Sequence, residues 1–337
     1  MKILIYDVDC KSSGTNYPIK DVLHLMGHQA IMFDWALYFN SIKLPNLLNK
    51  IKNKIGLRFI QNRINYDLIE VIKSNQFDLC IVMRGDHIYP DTLKFTKSKI
   101  PLLVNWNTDD LFNDLNSSKF IKESISLYDI HFSPRLHLKN EYLKMGAKSF
   151  MSLDWYYRYG INYNEFTRQK RKYFHESSFI GSWSKRREML LSELIDNNLD
   201  IFGWGWNKKI NSDNYMNWCF SPSVSIKQMH HEFFSSRINI NILTLENRDT
   251  TNLRNFEIPA SMGFQLSERS NEILELFVED KEIVCFSSID ELKDKYNYYL
   301  RNESLREKIA EAGKNKLFKN NHSLKDRLDK IINVINN

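Results

Sequence analysis

The sequence predicts an α/β protein made of two successive parallel-sheet units, on three observations. The chain opens strand, polar loop, helix, strand, which is how a doubly wound sheet begins. The same strand–loop–helix order restarts at Ser177. A chain of 337 residues also exceeds what one ordinary core supports, so two domains are expected. The expected boundaries are 1–150 for the first domain and 151–176 for an interdomain crossover. The second domain is expected over 177–320 and a C-terminal helix over 321–337.

The first unit follows from its apolar runs. Lys2–Asp7 (KILIYD) reads as a buried strand, with one Lys ahead of the run and Asp behind it, unlike a signal peptide. A polar loop over 9–17, a helix over 18–26 ended by Gly27, and a strand over 28–33 complete the opening. The loop lacks the G-x-G-x-x-G of dinucleotide sites, so a nicotinamide enzyme is not supported. Further strands are expected at 78–83, Leu102–Trp106 and 129–133, with helices at 66–74, 90–97 and 138–145. Polar groups crowd the expected strand ends: Asp7, Asp9, Arg84, Asp86, His87, Asp109 and Asp110. Open α/β sheets bind ligands at those ends.

Residues 151–176 carry Trp155, Tyr156, Tyr157, Tyr159, Tyr163 and Phe166, then a basic run, with no clean period. The second unit begins with a strand at 178–180, the turn Gly181-Ser182-Trp183-Ser184 and a helix over 186–195. Ser184 suits its N-cap, and Met189, Leu190 and Leu194 its buried side. A strand at 199–203 ends in Gly203-Trp204-Gly205-Trp206, and Ile226–Ser235 reads as a helix. In the next strand Ile238, Ile240 and Ile242 alternate with Asn239 and Asn241, giving one apolar face. Leu243 and Leu245 fall on the other parity, so its end is expected to be buried on both faces. A polar loop over 246–251 leads to a short helix with Leu253, Phe256 and Ala260 at helical spacing and Pro259 inside it. Gly263 ends that helix, and a new strand starts near Phe264. A strand at 282–286, a capping box at Ser288–Glu291, and helices at 290–301, 303–318 and 323–334 close the chain.

Bulk properties exclude several classes. A 42% hydrophobic fraction argues against disorder, and no apolar run approaches the ~18 residues of a membrane span. Cys10, Cys80, Cys219 and Cys285 form no C-x-x-C pair, which points to reduced thiols in a cytoplasmic protein. The net charge is +6, and residues 41–64 hold six bases (Lys43, Lys50, Lys52, Lys54, Arg58, Arg63) and no acid. With Leu44, Leu47, Leu48, Ile51, Ile55 and Phe59 among them, this is a basic amphipathic stretch. It suits either a plain surface helix or an anionic membrane surface on the inner face of the membrane. No nucleic-acid motif accompanies it.

The second half resembles the CgeB-like glycosyltransferases, the spore-maturation-protein type. The residues that carry this are FIGSWSKRREMLLSEL, IFGWGW and the long run from NLRNFEIPASMGFQLSER to LREKIAEAG. The first half is similar in layout only: KILIYD, VNWNTDD and YDIHFSPRLHLKNEYLKMGAKSF. The resemblance implies the GT-B fold, with two Rossmann-like domains facing a cleft and C-terminal helices. It implies a nucleotide-sugar donor, no cofactor and no bound metal. The acceptor would be a glycan, a lipid-linked molecule or a protein, and the pathway cell-surface polysaccharide synthesis.

The family pattern E-x7-E maps onto Asp249 and Glu257, so this chain departs from it at the first position. The resemblance gives Glu257 the donor ribose hydroxyls. Thr250, Thr251 and Asn252 would offer backbone N–H groups to the diphosphate, with Arg254 or Arg248 adding charge for the leaving group. Gly181, Ser182 and Arg186 would contact donor phosphate. Gly203 and Trp204 would set an indole beside the nucleobase. If the transfer inverts, a base is needed near the acceptor; Asp109 is preferred over Asp110, His87, Asp86 and Asp9. His230–His231 do not suit a metal, since mid-helix neighbours face different ways. Two other functions stay open: a non-catalytic glycan-binding or scaffold protein, and a nucleotide-sugar epimerase.

Overall fold

In the computed structural model the described residues are 1–7, 18–40, 49–113, 118–194, 197–209, 218–221, 224–245 and 250–336. The chain divides into two compact units, Met1–Asp154 with Arg327–Asn337, and Trp155–Asp326.

The first unit is built on a six-stranded parallel sheet. Its elements are β1 (Lys2–Asp7), α1 (Ile19–Leu25), β2 (Gln29–Asp34), α2 (Leu37–Asn40), α3 (Asn49–Lys73) and β3 (Leu79–Met83). They continue with α4 (Pro90–Lys99), β4 (Leu102–Trp106), α5 (Lys119–Ser124), β5 (Ile130–Ser133), α6 (Lys139–Lys144) and β6 (Phe150–Ser152). The strand order is β2-β1-β3-β4-β5-β6. β1 and β3 are buried on both faces, which is why they read as unbroken apolar runs. The polar exceptions inside are satisfied in place. Asn105 of β4 donates to the Val82 carbonyl at 3.0 Å, and the His131 ring sits 2.7 Å from the Ile125 carbonyl oxygen. Burial lowers the His131 pKa to about 4, so its ring is neutral.

α3 is longer than expected, absorbing both the 66–74 helix and most of the basic stretch. Lys43 lies outside the described residues, and of the six bases only Arg58 and Arg63 have described side chains. β6 escaped sequence reading because three residues at a sheet edge carry no period.

The second unit has the same plan. Its elements are α7 (Glu165–Arg168), β7 (His175–Ile180), α8 (Lys185–Ser192), β8 (Leu199–Phe202), α9 (Trp206–Lys209) and β9 (Trp218–Ser221). Next come α10 (Ile226–Ser235), β10 (Ser236–Asn241), α11 (Arg254–Ala260), β11 (Gln265–Glu268), α12 (Asn271–Leu276) and β12 (Val284–Phe286). Three helices finish the chain: α13 (Ile289–Arg301), α14 (Glu303–Lys319) and α15 (Leu324–Asn336). The parallel strand order is β12-β11-β10-β7-β8-β9. Most of the aromatics placed in a crossover are core residues of this unit, while Tyr159 is exposed. Trp155, Tyr163 and Phe166 pack with Phe256, Phe277 and Leu317, and Tyr157 stacks on Phe318 at 4.6 Å.

Two expectations about strand and helix faces change. β10 is buried on both faces, but its second face is polar: Asn239 and Asn241 are both buried. Asn239 donates to the Phe233 and Phe264 carbonyls and accepts from the Ser178 hydroxyl; Asn241 exchanges hydrogen bonds with Asn252 at 3.2 and 3.1 Å. Leu245 lies past the strand and is exposed. In α8 the buried apolar side chains are Leu190 and Leu191, while Met189 faces solvent. The caps follow the sequence. The Ser184 hydroxyl accepts from the Arg187 N–H, and the Ser288 hydroxyl from the Glu291 N–H.

In each sheet the strand order reverses at one place, between β1 and β3 in the first and between β7 and β10 in the second. The carboxyl ends of those strands flank the crevice where parallel sheets take ligands.

Candidate active site

The crevice of the second sheet gathers three arginines. α8 starts beside it because Gly181-Ser182 turns the chain and Ser184 caps the helix. From the first turn of α8, Arg186 donates to the Leu243 carbonyl at 3.0 Å and pairs with Glu268 at the end of β11. Arg187 is buried and donates to the Ile242 carbonyl at 3.0 Å and to the Ser182 carbonyl at 2.9 Å. Arg254, the first residue of α11, donates through Nε to the Ile180 carbonyl at 3.1 Å and through Nη1 to Glu257.

The charges in this crevice are unevenly balanced. Arg186 faces Glu268, and Arg254 faces Glu257. Among the described residues no carboxylate pairs with Arg187, whose guanidinium rests over the Phe179 ring at 5.3 Å. Burial, then the nearby charges of Arg254 and Arg186, lowers its pKa to about 10. It therefore stays cationic at neutral pH. A buried cation with two cationic neighbours favours an anion beside it.

Behind Arg254 lies a buried ion pair that sequence reasoning missed. Glu257 has no exposed surface, and its two oxygens are taken by Arg158 and Arg254. Burial pushes its carboxyl up, but the charges on Arg158 and Arg254 outweigh that and hold it below its ordinary value. The sequence offers Glu257 to ribose hydroxyls; in this structure its oxygens serve arginines, and it reaches the crevice only through Arg254. Arg158 lies 99 residues away in sequence, so no local signal could have paired them.

Two of the three expected backbone donors are also occupied. α11 begins only at Arg254. The Thr251 N–H donates to Glu272 at 2.9 Å and the Asn252 N–H to the Asn255 side chain at 2.9 Å. Thr250, Thr251 and Asn252 are all buried. Asn252 also ties the loop to the sheet through Asn241. Asp249, Arg248 and Asp9 lie outside the described residues.

The two glycine turns touch each other. A Cβ on Gly203 would lie 2.1 Å from the Gly181 carbonyl oxygen, and Gly203 has φ +155°. That contact brings the ends of β7 and β8 together. It leaves Trp204 70% exposed, while Trp206 is fully buried and donates to the same carbonyl at 2.9 Å. An indole so exposed on a glycine-braced turn can stack on a planar ligand.

In the first unit, Asp109 pairs with Arg84 at 2.9 Å, and Arg84 also lies 3.1 Å from Asp86. His230 is buried, its Nδ1 2.6 Å from the Ser261 hydroxyl, and burial lowers its pKa to about 4. Among the described residues no cluster of His, Cys, Asp and Glu is arranged to hold a metal ion.

Residues 185–333 match the model of a family described as glycosyl transferase-like. No curated protein sequence matches the chain. Solved structures are similar over its whole length. A glycosyltransferase from Rickettsia africae is 15% identical, with 99% of this chain and 97% of that one covered, at a TM-score of 0.64. The Anabaena protein HepE, solved with UDP-glucose, is 11% identical, with 100% and 99% covered, at 0.62. A UDP-GlcNAc 2-epimerase from Neisseria meningitidis, bound to UDP-GlcNAc, is 12% identical, with both chains fully covered, at 0.60.

The fold is GT-B. Within it, the segment matched by the glycosyl transferase-like model holds α8, α11 and all three crevice arginines.

Proposed function

We propose that this GT-B chain is a glycosyltransferase of the CgeB-like type. It moves a sugar from a nucleotide-sugar donor to a glycan, lipid-linked or protein acceptor. The observation that carries the reading is the Arg186–Arg187–Arg254 crevice at the switch point of the second sheet, where no carboxylate among the described residues pairs with Arg187. Breaking the bond from the anomeric carbon to the diphosphate leaves negative charge on the phosphate. Fixed guanidinium groups stabilise that charge without reorganising, which is the main demand of the reaction and one these arginines meet without a metal or cofactor. Glu257 and Arg158 hold Arg254 in place, Gly181 and Ser182 let the backbone approach, and Trp204 takes the nucleobase. We place the protein in the cytoplasm, with the basic stretch 41–64 resting on the inner face of the membrane. No described helix is long and apolar enough to cross one.

Calorimetry with UDP, GDP and dTDP tests the donor site. One nucleotide should bind the wild type, about 10–100-fold more weakly to Arg187→Gln and about 10-fold more weakly to Trp204→Ala, by the loss of one charge-assisted contact or one stacking contact. No binding of any nucleotide by the wild type sinks the reading. Conversion of a nucleotide sugar to its epimer with no acceptor present would instead make the protein an epimerase.

A further inference from the structure

The switch point of the first sheet is held in a conformation that ordinary residues avoid. β3 ends at Met83, and three of the next four residues have positive φ: Arg84 at 55°, Gly85 at 104° and His87 at 63°. Two of them carry side chains. Backbone of this kind persists only where its surroundings over-determine it, and it gathers at functional sites.

Here three elements fix it with buried polar groups. From β1, the Tyr6 hydroxyl donates to the Asp86 carbonyl at 2.6 Å. From β4, Asn105 donates to the carbonyls of Val82 and Arg84 at 3.0 and 3.2 Å. From α3, Asn65 donates to the His87 carbonyl at 2.9 Å and accepts from the Tyr89 N–H at 2.8 Å. Tyr6, Asn65 and Asn105 are 0%, 4% and 1% exposed.

What this frame presents is a carboxylate beside an aromatic wall. Asp86 is a quarter exposed; Oδ2 lies 3.1 Å from Arg84 Nε, and Oδ1 takes no hydrogen bond from any described residue. The His87 ring packs against Trp35 and Phe39, each at 4.8 Å between centroids, and all three are partly exposed. Burial raises the Asp86 carboxyl, Arg84 and His87 pull it back, and Asp109 adds to the rise. A carboxylate oxygen accepts hydroxyl hydrogen bonds, and an adjacent aromatic surface suits the C–H face of a pyranose.

Resting on the glycosyltransferase reading, we propose that this turn is a saccharide-binding site for the acceptor, with Asp86 Oδ1 accepting from a sugar hydroxyl and Trp35 and His87 forming the apolar wall. The acceptor is then a glycan or glycan-bearing molecule, not a bare protein side chain.

The test is ligand-observed NMR with a panel of methyl and p-nitrophenyl hexosides, run beside nucleotide calorimetry on the same proteins. Wild type should bind at least one glycoside. Asp86→Asn, which keeps the side chain's shape, should weaken that binding at least 10-fold and leave nucleotide affinity within twofold. Tyr6→Phe, which releases one brace without touching ligand, should weaken it several-fold, with Asp86→Asn adding little more in the double variant. Glycoside binding unchanged in Asp86→Asn overturns the proposal, and so does a wild type that binds no glycoside. If nucleotide binding is absent as well, the glycosyltransferase reading falls with it; if nucleotide still binds, only the acceptor site is lost.

Discussion

Glu257→Gln isolates the logic of the second unit. The substitution keeps the shape of the side chain and removes its charge. Glu257 has no exposed surface and the Arg158 side chain is 7% exposed, so this pair sits away from water. Taking one partner from a buried pair costs about 3–5 kcal/mol, since the other charge is left behind. The Arg254 side chain is 24% exposed and can turn to solvent, so its share is at most about 1 kcal/mol. A loss of about 4 kcal/mol in a unit of this size lowers its melting temperature by roughly 10 °C. Thermal unfolding followed by circular dichroism reads that shift directly. Nucleotide affinity, by calorimetry, should fall about 10-fold or more because Arg254 loses its brace.

A double variant separates the two effects. Arg158→Met with Glu257→Leu leaves no buried charge behind, so most of the stability should return. Nucleotide affinity should not, because Arg254 still lacks its carboxylate. Acid should report on the same pair. The Glu257 carboxyl is held below its ordinary value, so its contribution is present above a pH of about 4.5 and is lost as the pH falls through the lowered value. Glu257→Gln melting within 2 °C of wild type would refute the buried-pair argument. Full nucleotide affinity in the double variant would refute the link through Arg254.

Other perturbations follow from the same geometry. Gly203→Ala places a methyl group 2.1 Å from the Gly181 carbonyl oxygen at a φ of +155°, so the two turns must part; about 2 kcal/mol of stability or more should go, and nucleotide affinity with it, and normal melting would show that the turns do not touch. His175 has Asp200 at 2.8 Å on one ring nitrogen and Glu232 at 2.7 Å on the other, and these hydrogen bonds, against burial, raise its pKa to about 9. A raised histidine stabilises fully below its unfolded pKa of about 6.5 and loses that contribution as the pH climbs through 9; the unfolding free energy from urea titration should fall by about 1–2 kcal/mol over that window in wild type and stay flat in His175→Gln. Residues 41–64 should pellet the protein with phosphatidylglycerol vesicles at low salt and release it at high salt; no pelleting at low salt removes the membrane reading of this segment.

Most of the fold was legible because parallel strands are buried on both faces and so stand out as apolar runs. KILIYD and LCIVM needed no partner to be recognised, and Ser184 and Ser288 announced their helices through local hydrogen bonds. β6 and β9 were missed because three or four residues at a sheet edge have too little length for a period. Asn239 and Asn241 misled for a different reason. Alternation marks a change of face, and a polar face is ordinarily a wet one; here Ser178, Asn252 and Ser267 supply the hydrogen bonds that water would have made. Nothing within the strand itself reveals those partners.

The same limit explains how the site was read. Arg186, Arg254 and Glu257 could be chosen from their places beside turns, but their work depends on partners far along the chain. Adjacent residues on a helix point about 100° apart, so of Arg186 and Arg187 one must turn further inward, and sequence alone does not say which. The structure turns Arg187 under the Ile242 carbonyl and leaves Arg186 to Glu268. Two arginines that look equivalent in KRRE therefore do different things: one is neutralised by Glu268, and the other has no carboxylate partner among the described residues. Burying a cation that no described carboxylate pairs with opposes stability, even with the Ile242 and Ser182 carbonyls accepting its hydrogen bonds. The position of Arg187 beside Arg254, at the switch point of a parallel sheet, is what argues for an anionic ligand rather than for another structural ion pair.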